Sequence, residues 1–158
     1  MGLLGIKKYP QQILRKRCKP LNQISEREKA LFEQMLFIMR NFSGIGLAAP
    51  QVGILERLIV AEVGEKVIKL ANPQILKTKG ADNMREGCLS VPGLEVDIER
   101  SYETIVEGLD EKGQTVEIKA KGLLARVLQH EVDHLSGKLI VDYLPFWERL
   151  RFRMKVRR

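Results

Sequence analysis

Apolar residues recur along this chain with two different periods. From Leu31 to Phe42, the residues Leu31, Met35, Met39 and Phe42 fall at helical spacing, and Phe32, Leu36 and Ile38 widen the stripe. Ser25 and Glu28 form a capping-box signature that starts this helix. Ser43-Gly44-Ile45-Gly46 ends it, because the glycines permit backbone angles that other residues resist. Beyond that loop the period shortens. Arg57 to Val63 and Lys66 to Leu70 are rich in Val, Ile and Leu and read as short strands. Asn72-Pro73 and Lys79-Gly80 read as turns. Leu94, Val96 and Ile98 alternate with charged residues, as in a half-buried strand. Thr104 to Leu109 and Thr115 to Lys119 flank Asp110-Glu111-Lys112-Gly113 as a hairpin. A second helix is expected from about Gly122 to Ser136, ended by Gly137, with a short strand at Lys138 to Val141. In the tail, Leu150, Phe152, Met154 and Val156 alternate, but Phe146, Leu150 and Met154 also fit a helix, which is the reading taken. No internal repeat is found. Helix, several strands, helix is the order of an α+β domain with mainly antiparallel strands.

Composition narrows the class. A chain of 158 residues, 44% hydrophobic and 30% charged, fits one compact domain that buries a core without staples. Disordered, collagen-like and low-complexity proteins are excluded. No uncharged apolar run approaches the length of a membrane span, so no membrane association is expected. Two cysteines cannot make a disulfide framework; one Cys18–Cys88 bridge stays open, but a reduced intracellular protein is the expectation. Lys7 and Lys8 cut off the apolar start before a signal-peptide core forms. Gly2 meets Ile6 where a myristoylation pattern wants Ser or Thr. Cytoplasmic residence follows as the expectation.

The net charge of +7 is unevenly spread. All 20 acids lie between Leu21 and Glu148, where 15 Lys and Arg leave a net −5. Lys7, Lys8, Arg15, Lys16, Arg17 and Lys19 precede that stretch, and Arg149, Arg151, Arg153, Lys155, Arg157 and Arg158 follow it. An acidic body with basic ends reads either as local contact with a polyanion or as a solubilising tail.

Both histidines of the chain sit in one motif, His130-Glu131-Val132-Asp133-His134. Residues four apart share a helix face, and Leu123, Val127, His130 and His134 fall on one narrow stripe. Two imidazoles so placed can hold one metal ion while Glu131 handles a proton beside it. The plainer alternative is a histidine pair on a solvated face; the apolar neighbours and Glu131 count against it. A catalytic site needs a third ligand. Glu148 is the downstream carboxylate that a thermolysin-like protease uses. A metzincin needs a histidine where this chain has Ile140. Cys88, within Glu86-Gly87-Cys88-Leu89-Ser90, is the other candidate, although a lone cysteine is more often a small buried apolar residue. Gly44-Ile45-Gly46-Leu47-Ala48-Ala49-Pro50-Gln51 lacks the lysine of a phosphate loop and follows a helix, so no nucleotide cofactor is expected. Its small residues allow close backbone approach, and Gln51 supplies an amide donor.

In this order, the three segments resemble the signatures of the peptide deformylase family: a GxGLAAxQ loop at Gly44 to Gln51, EGCLS at Glu86 to Ser90, and QHExDH at Gln129 to His134, without a mismatch. The resemblance also covers the leading helix, the strands between, and Leu135 to Leu139. It implies a single catalytic domain over 1–158, built around the histidine-bearing helix, with a basic C-terminal extension at about 146–158. It implies removal of the formyl group from the N-terminal formylmethionine of newly made polypeptides, with release of formate. By the same resemblance Cys88, His130 and His134 hold one divalent metal. Ferrous iron is expected, and Zn2+, Ni2+ or Co2+ can replace it. Water takes the open position, and Glu131 serves as general base and acid. The Gln51 side chain and the Leu89 N–H stabilise the oxyanion. Gly44, Ile45 and Gly46 meet the substrate, Gly46 by pairing with its backbone. Ile45, Leu123 and Val127 wall the methionine pocket, and a tight site around the small formyl group rejects acetyl by size. The basic tail gives a site for the ribosome, and a monomer is expected. The rivals are a zinc endopeptidase that depends on Glu148 and a non-catalytic ribosome-binding relative.

Overall fold

The computed structural model describes residues 4–157. Its first helix, α1, spans Glu26–Asn41. Ser25 caps it, and the Glu28 carboxylate accepts the Ser25 N–H at 2.8 Å and the Ser25 hydroxyl. Leu31, Phe32, Met35 and Met39 are buried on one face.

Five antiparallel strands form the main sheet: β1 (Gly46–Ala48), β2 (Leu58–Val63), β3 (Lys66–Lys79), β6 (Glu103–Leu109) and β7 (Thr115–Lys121), in the order β1-β2-β3-β6-β7. A second, two-stranded sheet pairs β4 (Asp82–Glu86) with β5 (Val96–Arg100). α2 spans Gly122–Leu135 and α3 spans Phe146–Val156. The alternation in β2 decides the layering. Leu58 and Val60 pack with α1, whereas Ile59 and Ala61 pack with α2, so this strand is buried on both faces. β7 runs into α2 with no residue between them. Gly122 turns that corner at φ +60, and its N–H donates to the Tyr102 carbonyl at 2.8 Å.

The architecture is the α+β arrangement expected. Both main helices, the β6–β7 hairpin and the tail helix lie where the periodicity puts them. Two local expectations are corrected and one strand is added. β3 does not stop at Leu70: Asn72-Pro73 makes a bulge instead of a turn, with Asn72 at φ +51. The Asn72 side chain meets both backbone groups of Leu21, at 2.8 and 2.7 Å, and this holds the left-handed residue inside a continuing strand. Lys138 to Val141 is not a strand; Ile140–Tyr143 is a 3-10 turn, started by Asp142 accepting the Leu139 N–H at 2.9 Å. β4 went unread, because Asp82-Asn83-Met84-Arg85-Glu86 has no apolar alternation and forms only by pairing with β5. Cys18 and Cys88 are both free. Among the described residues no helix is long and apolar enough to cross a membrane. Gly2 lies outside the described residues.

Candidate metal centre

A cleft of about 850 Å³ opens between β1, the segment that follows β4, and α2. α2 contributes Leu123, Val127, His130 and Glu131 to its lining, and His134 lies one turn deeper, 1% exposed. β4 ends at Glu86 and delivers Cys88 two residues later. Cys88 Sγ lies 3.5 Å from His134 Nε2, which lies 3.2 Å from His130 Nε2. All three donor atoms fall within 4.8 Å of one another. Two ring nitrogens and a sulfur aimed at one point fit a small divalent cation that keeps an open position. The surroundings fit it too. Glu86 Oε1 lies 2.8 Å from His130 Nδ1, so that nitrogen carries the proton and Nε2 is free as a donor. Glu148 is exposed on α3 and is not part of this group.

The other expected residues gather here as well. Gln51 lies in a 3-10 turn, Ala49–Val52, and is 1% exposed. Its Oε1 accepts the Ala48 N–H at 2.9 Å. Its Nε2 donates to Ser90 Oγ at 3.1 Å and approaches Cys88 Sγ at 3.6 Å. Among the described residues no acceptor takes the Leu89 N–H. Gly44, Ile45, Gly46 and Leu89 line the cleft, and β1 leaves one edge unpaired.

The comparisons agree with this geometry. The family described as polypeptide deformylase matches residues 3–149. A peptide deformylase of Thermodesulfovibrio yellowstonii is 45% identical over 98% of this chain and 97% of its own length. The crystal structure of a peptide deformylase from Legionella pneumophila superposes with a TM-score of 0.92 at 39% identity, covering 98% of this chain and 94% of that one. A peptide deformylase from Ehrlichia chaffeensis, solved in complex with actinonin, gives a TM-score of 0.94 at 34% identity, covering 99% and 96%.

The chain belongs to the polypeptide deformylase family.

Within this deformylase fold the electrostatics follow from burial. Glu131 is 3% exposed; burial raises its carboxyl to about 7, against the pull of His130, and its Oε2 has no partner among the described residues. Burial pushes His130 down, but Cys88, Glu131 and Glu86 outweigh it and hold that imidazole well above its ordinary value. Burial and the neighbouring His130 push His134 well below its own. A dication held by this donor set favours the neutral imidazole at both positions and opposes the rise at Glu131. Burial would raise Glu86, yet Arg100 and His130 hold it at about 2.

Residues that the sequence did not single out surround this deformylase centre. Glu86 pairs with two arginines. Arg100 binds it through Nε and an Nη nitrogen, both at 2.9 Å, and Arg126 binds it from α2. Arg100 also reaches Asp133 at 2.7 Å and Tyr143 at 3.0 Å, and Tyr143 donates to Asp133 at 2.6 Å. One signal was present for Arg126. It is a charged residue in the otherwise apolar run from Leu123 to Leu128, one turn before His130.

Proposed function

We propose that this protein removes the formyl group from the N-terminal formylmethionine of newly made polypeptides by metal-dependent hydrolysis. The observation that carries the reading is the convergence of Cys88, His130 and His134 beside the buried Glu131, in a chain of this family. Cys88 Sγ and the two Nε2 atoms would hold the ion. When bound, a divalent metal lowers the pKa of water and polarises the formyl oxygen. Glu131 accepts a proton as water attacks the formyl carbon, then returns it to the amine as the C–N bond breaks, giving formate and a free N-terminus. The Gln51 Nε2 and the Leu89 N–H donate to the oxyanion. Fixing Gln51 Oε1 on Ala48 turns the amide so that its N–H2 faces Cys88.

The substrate lies as an added strand along β1, paired with Gly46 and adjoining Gly44. Its methionine side chain enters between Ile45, Leu123 and Val127. The chain acts as one catalytic domain in the cytoplasm, as a monomer, with 146–158 as a basic extension toward ribosomal RNA. Ferrous iron is the metal inferred from the family; a Cys and two His also suit zinc. Metal analysis of protein purified without oxygen separates the two.

The test is formate release from formyl-Met-Ala-Ser by anaerobic, iron-loaded protein. Release should drop on the order of 10²–10⁴-fold in Glu131→Ala. No release from folded, metal-loaded wild type would overturn the activity.

A further inference from the structure

We infer that Arg126 is a positioning residue that clasps the cysteine-bearing hairpin to the histidine-bearing helix, and so sets the geometry of the donor triad. This rests on the metal-site reading above. The three donors come from two separate pieces of structure. Cys88 hangs from the end of β4, in the two-stranded sheet, whereas His130 and His134 belong to α2, which packs on the main sheet. Their relative placement needs a tie that is independent of the ion.

Arg126 is that tie. It is 3% exposed and sits one turn before His130. One terminal nitrogen donates to Glu86 Oε2 at the end of β4 and to the Ile98 carbonyl of β5, at 2.8 Å for the latter. The other donates to the Asp82 carbonyl at the start of β4, at 2.6 Å. One guanidinium thus grips both ends of β4 and the middle of β5. Its Nε is buried and has no partner among the described residues, so those three acceptors fix the orientation of the group. Glu86, held at one corner, takes His130 at its other oxygen, 2.8 Å from Nδ1. The clasp therefore reaches both sides of the triad: Cys88 through the β4 backbone and His130 through Glu86. Arg100 ties the same hairpin to Asp133, one residue before His134. Two arginines at opposite ends of the motif give a two-point attachment. A lysine could keep the charge beside Glu86, but one ammonium cannot span acceptors on both strands.

The experiment measures Co2+ affinity by competition with a chelator, together with the thiolate-to-cobalt absorption band, in wild type, Arg126→Met, Arg126→Lys, Cys88→Ser and Leu128→Val. The last is a core change on α2 that controls for lost stability, since Leu128 packs in the main-sheet core and not against the hairpin. Arg126→Met should bind cobalt on the order of 10–100-fold more weakly, with a diminished band, and Leu128→Val should keep wild-type affinity. Arg126→Lys should remain weakened. Wild-type affinity and band in Arg126→Met, an equal loss in Leu128→Val, or full restoration by Arg126→Lys would each overturn the clasp. If Arg126→Met fails to fold, Arg126→Lys decides: weakened binding supports the clasp and wild-type binding overturns it. If wild type binds no cobalt, or Cys88→Ser binds as well as wild type, the metal-site reading falls and takes this inference with it.

Discussion

A methyl group on Gly46 has nowhere to go. It would lie 2.6 Å from Glu131 Oε1 and 2.7 Å from Val127 Cγ1. β1 and α2 therefore meet closely there, and a glycine lets Glu131 sit directly against β1, the strand proposed to receive the substrate. Gly46→Ala should leave the fold and bound metal intact while displacing Glu131. A misplacement near 1 Å can cost on the order of 10²-fold in rate. The expected result is a fall of that size in kcat/KM for a formyl peptide, at unchanged metal content. An unchanged rate would mean that Val127 yields and Glu131 does not. At this scale the sequence was highly legible. Cys88, His130, Glu131, His134 and Gln51 all lie at the one cleft, because their residue types are demanded by chemistry at fixed spacing. Arg100 and Arg126 were not legible as a pair around Glu86. Their partners lie 14 and 40 residues away, and only the fold brings them together.

Among the elements, α1 is the one whose start is written in its own residues. Burial would raise the Glu28 carboxyl, but hydrogen bonds from Ser25 and the Arg27 guanidinium hold it at about 2, against an ordinary 4.5. A carboxyl depressed in the folded state adds stability above its unfolded pKa and loses it as pH falls through the folded one. The contribution of this cap should thus be complete above about pH 5 and fade between about 4.5 and 2. Urea midpoints of wild type and Glu28→Gln should differ at pH 7 and converge toward pH 2. A gap that stays constant with pH would remove the charge from the explanation. Helices and the β6–β7 hairpin were legible because their periodicity and turn residues are local. β4 and the second half of β3 were not, since partner strands and a side chain bonded to Leu21 hold them in place.

Across the whole molecule the charge separates, with a basic helix attached to an acidic body. α3 is not a loose tail. Phe152 stacks on Tyr9 at 5.8 Å and joins the apolar cluster that contains Val91 and Ile140. Deleting 146–158 would uncover that cluster, so the ribosome proposal is better tested by charge. Arg151, Arg153 and Lys155 are exposed. Changing all three to Gln should keep activity on short formyl peptides and weaken ribosome binding. The salt slope of log affinity should flatten by roughly 2–3 for the three lost phosphate contacts. An unchanged slope would make the helix a solubilising element only. The polarity of the chain was legible in the sequence; the anchoring by Phe152 was not, because its periodicity fits strand and helix alike.

The uninterrupted passage from β7 into α2 makes the molecule intolerant of length changes at one position and indifferent at another. A residue added to the Asp110–Gln114 turn merely enlarges a surface loop. A residue added between Lys121 and Gly122 has no loop to absorb it. It would rotate the helix by about 100° against the sheet that fixes its origin. Both imidazoles would then leave the cleft together, while the helix kept its length and composition. Insertion scanning of this stretch should therefore show a sharp boundary, with tolerated insertions on the turn side of β7 and silent, metal-free protein on the other.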